Sequence, residues 1–160
     1  MLKGESYNIG SVRLTEKFIS EQPTPIGQVQ LATQFIDQHV ERALRLKPEN
    51  FELHDIIAVA GTPTALVVAQ VGKYDPEVVD GFQLSLKALE DWRDRMIPSS
   101  VQQKIEMGIS AGRADVILIG VLILIQTLKK FNKKTLSVST RGVRHGVALE
   151  IDFRNHAGIR

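Results

Sequence analysis

The chain has 160 residues, 43% hydrophobic and 24% charged, a composition that suits one folded domain with a real core rather than a disordered tail. Its 20 basic and 18 acidic side chains leave a formal charge of +2, too balanced for broad electrostatic binding of nucleic acid or of a membrane surface. Cysteine is absent, which excludes disulfides and thiolate metal sites.

In chain order, Ser6-Tyr7-Asn8-Ile9 reads as a short strand that breaks at Gly10-Ser11. Val12 and Leu14 alternate as in a strand, whereas Leu14 and Phe18 sit one helical turn apart. With Ser11 able to cap a helix start, the segment Val12–Ile19 is assigned as helix. After Pro23 and Pro25, the residues Val29, Ala32, Ile36, His39, Val40 and Ala43 recur at helical spacing, predicting a long amphipathic helix that ends before Pro48. The apolar run Ile56–Ala60, bounded by Asp55 and Gly61, predicts a buried strand. Gly61-Thr62-Pro63-Thr64 leads into a helix over Ala65–Val71, with proline suited to a first turn.

Asp75-Pro76-Glu77 opens a loop, and Phe82, Leu84, Leu86, Leu89 and Trp92 suggest a helix that stops near Pro98. The run from Val116 to Ile125 is almost wholly apolar but shorter than the ~20 residues that span a bilayer. It belongs to a buried helix over Arg113–Phe131, with Asp115 in its first turn and Lys129-Lys130 in its last, both favourable to the helix dipole. Thr135–Ser139 is the last clear strand, and Gly142–Val147 starts a terminal helix or turn. The sum is helix-rich α/β with about three strands. Met1–Tyr7 carries no apolar signal core, so the expected location is cytoplasmic.

Gly108-Ile109-Ser110-Ala111-Gly112 matches the Gly-x-Ser-x-Gly nucleophile elbow, which needs an apolar strand before its serine. Gln102–Met107 is polar instead, so Ser110 reads as part of the loop leading into the helix. No two of His39, His54, His145 and His156 have metal-ligand spacing. His39 reads as a core-edge residue and His54 as a turn residue, and the alternating Asp91, Arg93, Asp94 and Arg95 as a solvated face.

Two junctions, Ile9-Gly10-Ser11 and Ala60-Gly61-Thr62, place a glycine and a hydroxyl residue after a strand and before a helix. Glycine lets a ligand approach the backbone, and the helix N-terminus offers amide donors, an arrangement that suits phosphate. A plain turn glycine with a hydroxyl cap has the same appearance in sequence. Gly142-Val143-Arg144-His145-Gly146, following Arg141, is a third glycine-flanked turn. Its arginines suit either anion binding or simple solvation.

Taken in order, five blocks resemble the C-terminal half of the exopolyphosphatase / guanosine pentaphosphate phosphatase (Ppx/GppA) family. They are Ile9–Glu16, Ala60–Thr64, Tyr74–Gly81, Arg113–Ile117 and Ser139–Gly146. The resemblance implies a fold similar to acetate and sugar kinases, actin and heat-shock chaperones, with two RNase-H-like lobes and the substrate's phosphates between them. It implies hydrolysis of phosphoanhydride bonds in polyphosphate or a guanosine polyphosphate alarmone, generally with magnesium. By the same resemblance, Gly61 and Thr62 line the second lobe's phosphate or nucleotide region. Gly10, Ser11 and Arg13 flank the cleft, Arg144 belongs to the last block, and Arg113-Ala114-Asp115 is mainly architectural.

The departures from the family pattern are large. The first lobe, with its Asp-x-Gly-Ser loop and catalytic glutamate, is absent, as is the Asp-x-Gly-Gly-Gly-Ser loop opening the second lobe. Ser139-Thr140 and Arg144-His145-Gly146 stand where the family usually has Ser-Asp and Arg-Glu-Gly. Residues 1–160 are therefore expected to be a single domain. It would be a helix-rich, partial RNase-H-like lobe of the actin/sugar-kinase superfamily with a small mixed sheet. No catalytic base or metal ligand is assigned, and the lobe is expected to bind phosphate or nucleotide without turning it over. In the family sheet the missing strands lie between Ser6–Ile9 and Ile56–Ala60, leaving edges that are a liability. Direct pairing of those two strands, or pairing across a homodimer, would repair them, and a complementing first-lobe chain would restore activity. The alternative reading is a non-catalytic interaction domain whose exposed sheet edge binds a partner strand.

Overall fold

The computed structural model describes residues 6–45 and 53–157. Its helices are α1 (Ser11–Phe18), α2 (Ile26–Arg45), α3 (Gly61–Val71), α4 (Pro76–Val79), α5 (Leu86–Met96), α6 (Val101–Glu106), α7 (Ile117–Lys130) and α8 (Val143–Ala157). Its strands are β1 (Ile57–Val59), β2 (Gln83–Ser85) and β3 (Thr135–Ser139). They form one sheet in the order β1-β3-β2. β1 runs parallel to β3, with Ala58 opposite Val138, and β2 runs antiparallel to it, with Leu84 opposite Leu136.

The apolar helix α7 is the centre of the molecule. Ile117, Leu118, Ile119, Val121, Leu122, Ile125 and Leu128 are all buried, each contributing about 1.5–3 kcal/mol by burial. α3 and α5 lie beside the sheet and against α7, while α1 and α2 pack on the far side of α7. Gly120 permits a close approach of α3 to α7: a Cβ there would overlap the Thr62 side chain of α3. One face of the sheet, carrying Ala58, Leu84, Leu136 and Val138, closes the core.

Several elements depart from the sequence reading. Ser6–Ile9 forms no strand. Although one side of β1 is open among the described residues, this segment joins no strand, and Ile9 N–H instead turns back to the Tyr7 carbonyl at 2.8 Å. The expected direct pairing with β1 therefore does not occur. β1 itself is a half-exposed edge strand rather than a buried one, with Ile57 65% and Val59 42% exposed and only Ala58 buried.

Asp75-Pro76-Glu77 opens a helix, not a loop: the Asp75 carboxylate accepts from Glu77 N–H and Pro76 takes a first-turn position that needs no amide. Phe82–Leu86 is mostly strand β2, and α5 starts only where Ser85 caps it. α7 begins at Ile117, so Asp115 lies in the preceding turn instead of in the helix. The polar run Gln102–Met107 is largely α6, opened by a capping box between Ser100 and Gln103. α1, α2, α3 and β3 stand where they are expected, although the stop before Pro48 lies outside the described residues. Among the described residues no helix is long and apolar enough to cross a membrane.

Candidate functional site

A cleft of ≈ 370 Å³ opens at the C-terminal ends of β1 and β3. This is where open α/β sheets place their ligands, because helix N-termini and loops converge there. Three walls meet. The first is the β1–α3 junction, Ala60, Gly61, Thr64, Ala65 and Val68, with Tyr74 beyond it. The second is the α6–α7 turn, Gly108, Ser110 and Arg113. The third is the end of β3, Ser139 and Thr140.

The first wall is built under strain. Ala60 has φ 75° and ψ −163°, a region occupied almost only by glycine. Its side chain cannot cap α3, and no other side-chain cap bonds the helix start. The first amides and the positive end of the helix dipole therefore face the cleft. Gly61 supplies the floor: a Cβ there would land inside the Arg113 guanidinium, which rests directly on the glycine backbone. No carboxylate among the described residues pairs with Arg113. Its charge thus lies over a helix N-terminus, a combination that favours an anion.

The third wall is fixed by Asp80. Its carboxylate accepts from Thr140 N–H at 2.8 Å, Ser139 Oγ at 2.9 Å and Thr140 Oγ1 at 3.1 Å, with Arg141 Nε at 3.6 Å. The Thr140 amide, then the Ser139 hydroxyl, hold the Asp80 carboxyl below its ordinary value. The second wall rests on a buried ammonium. Lys104 Nζ donates to Gln22 Oε1, and Gln22 Nε2 donates to the Asp115 carbonyl at 2.7 Å. Burial pulls the Lys104 pKa down to about 8, partly opposed by the Asp115 charge.

The cleft brings together only some of the residues marked in the sequence. Gly61 forms its floor. Thr62, next to it, points at Gly120 of α7. Gly10 and Ser11 sit at the start of α1, and Arg13 donates to Asn8 Oδ1 at 3.1 Å; none of the three lines this cleft. Arg144 is exposed in the first turn of α8, outside it too. Arg113, expected to be architectural, is the cleft's cation, and Ser139, Thr140 and Asp80 join the site without having been marked. The one signal for Arg113 in the sequence is its place between a glycine and an alanine at the mouth of an apolar run.

Ser110 lines the cleft, but helix α6 and a glycine turn precede it, so the strand-to-helix elbow is not formed. His39 lies at the core edge, its Nδ1 hydrogen-bonded to the Phe35 carbonyl at 2.8 Å. Among the described residues no three His, Asp or Glu side chains are grouped to hold a metal ion. The cleft lining, with no Asp, Glu or His, does not by itself fit a magnesium site.

The sequence profile of the Ppx/GppA phosphatase family matches residues 1–154. A bifunctional 3-dehydroquinate synthase/phosphatase of Fusobacterium nucleatum is 32% identical over 151 residues, covering 91% of this chain and 22% of that protein. Exopolyphosphatase 2 of Mycobacterium tuberculosis is 26% identical over 153 residues, covering 91% of this chain and 48% of the relative. The crystal structure of the Aquifex aeolicus Ppx/GppA family member superposes with a TM-score of 0.85 at 29% identity, over 94% of this chain and 49% of the other. The chain thus spans about half the length of the exopolyphosphatase and of the Aquifex protein. With a match over nearly its whole length, the chain belongs to the Ppx/GppA phosphatase family.

Proposed function

We propose that these residues supply the phosphate- or nucleotide-binding lobe of a phosphoanhydride hydrolase and do not turn over substrate by themselves. The observation that carries the reading is the Arg113 guanidinium seated on Gly61 at the uncapped start of α3. The Ser110 and Tyr74 side chains line the cleft with that cation, whereas the Thr64 hydroxyl donates to the Ala60 carbonyl and those of Ser139 and Thr140 donate to Asp80. The guanidinium and the uncapped first amides of α3 are the donors that suit phosphoryl oxygens, whose charge is shared over several atoms. The lining contains no Asp, Glu or His, so the cleft holds donors but no general base for a water nucleophile. Polyphosphate and guanosine polyphosphates are the substrates this reading implies, with magnesium and the catalytic carboxylate supplied from outside these residues. In this reading the chain is a partial RNase-H-like second lobe.

Calorimetric titration with tripolyphosphate and with guanosine tetraphosphate, each with and without magnesium, tests the binding. Saturable binding without phosphate release is the expected result. No binding at millimolar ligand overturns the reading.

A second reading has its own observation, the free edge of β1 with Ile57 and Val59 exposed. An added strand, from a second copy or from a complementing first-lobe chain, would pair that edge and cover both side chains. Solution scattering of the purified chain decides the homodimer form of it: a monomer at every concentration removes that form.

A further inference from the structure

Lys104 is the largest side chain that the fold shuts away completely. A buried ammonium generally costs stability that an apolar side chain of similar size would not, so its presence in a core calls for another role. Its hydrogen bond leads towards the cleft. Lys104 Nζ donates to Gln22 Oε1, and the same amide's Nε2 donates to the Asp115 carbonyl at 2.7 Å. The Gln22 amide can make both bonds in only one orientation, because lysine is purely a donor and a carbonyl purely an acceptor.

The three groups come from different parts of the chain: α6, the linker between α1 and α2, and the turn before α7. The linker is anchored by Thr24 N–H on the Ile97 carbonyl at 2.9 Å. The turn is anchored at its near end by Ile109 N–H on the Lys104 carbonyl at 3.2 Å. Asp115 lies two residues beyond Arg113, and Ala114 between them is buried.

We infer that Lys104 and Gln22 are positioning residues, whose two hydrogen bonds fix the turn from Ser110 to Val116 at the depth that seats the Arg113 guanidinium on Gly61. The inference rests on the reading of the cleft as a phosphate site, and its test separates the two. Three variants are compared with the wild type: Gln22→Met, Lys104→Met and the double. The first readout is the Arg113 Nε–H resonance in nitrogen–proton NMR, taken without ligand. The second is tripolyphosphate affinity at neutral pH.

Each single variant is expected to move the Arg113 resonance while leaving the backbone fingerprint of the sheet in place, and to weaken binding about tenfold. Gln22→Met does this with every charge retained, so loss of bulk charge is not the cause. The double variant is expected to be no worse than the weaker single, since both changes cut one relay. An unmoved Arg113 resonance in folded variants, or additive losses, overturns the inference. If the wild type binds no tripolyphosphate, the phosphate reading falls, and the Arg113 resonance alone decides the positioning role. If Gln22→Met fails to fold around its stranded lysine, the double variant, which strands no charge, gives the same readings.

Discussion

Replacing Lys104 with methionine should stabilise the protein while weakening its cleft. Burial lowers the lysine pKa from its ordinary 10.5 to about 8. At ~1.4 kcal/mol per pH unit, keeping that group protonated in the core costs about 3 kcal/mol at pH 7. The variant also gives up a charge-assisted hydrogen bond to Gln22, worth about 1.5 kcal/mol. The net gain is about 1–2 kcal/mol, or roughly 2–8 °C in Tm for a chain of this size. The pH dependence follows from the depressed value. Below pH 8 the folded and unfolded states both bind the proton, and the full cost is present. Between pH 8 and 10.5 the unfolded state binds more protons, so wild-type stability rises with pH. Urea melts of both proteins across that range measure the difference, which should favour the variant at pH 7 and shrink steadily above pH 8. A variant less stable than wild type at pH 7, or a difference that ignores pH, would refute the reasoning.

Arg113→Ala should weaken tripolyphosphate binding about 10- to 100-fold by removing the cleft's cation. Gly61→Ala should approach the same loss with the arginine still present, because the new Cβ occupies the guanidinium's seat; calorimetry reads both. Asp80→Asn should release Ser139 and Thr140 and cost about two- to tenfold in affinity. The stability that Asp80 contributes is present above its unfolded pKa and should fall away as acid protonates it through its lowered folded value, measured as a Tm difference from Asp80→Asn. Ala60→Gly should raise stability by about 1 kcal/mol in urea melts, since glycine adopts φ 75° without strain.

Much of the architecture was legible because its signals were local. The α7 run is apolar on every side, and only a central helix can bury that; β3 alternates cleanly between Leu136 and Val138 inside and serines outside. What failed depended on partners. Ile57 and Val59 look like core in a five-residue apolar run, but burial is decided by the next strand, and among the described residues β1 has none on its free side. Ser6–Ile9 has strand-like residues but closes a local turn, Ile9 N–H on the Tyr7 carbonyl, instead of joining the open side of β1. Phe82, Leu84 and Leu86 fit a period of two as well as a helix face, and only the Ser85 cap on Ala88 N–H divides β2 from α5. Asp75-Pro76 has the composition of a loop, yet an aspartate cap before a proline is also a helix start.

Legibility of the site divides in the same way. Gly61 was marked because a glycine after a strand has a direct physical use. Arg113 lies 52 positions further along the chain, and only the folded turn brings it onto that glycine. Asp80 and Thr140 are likewise joined across 60 residues. The relay from Lys104 to Gln22 spans 82 residues, with nothing in either local sequence to announce a buried amine.

The central claim is that a phosphate chain sits between the start of α3 and Arg113. Amide NMR shifts during a tripolyphosphate titration test it most directly. The account expects saturable shifts concentrated at Gly61, Ser110, Arg113, Ser139 and Thr140, and absent in Arg113→Ala. Shifts centred instead on Gly10, Arg13 or Arg144, or none at millimolar ligand, would contradict it.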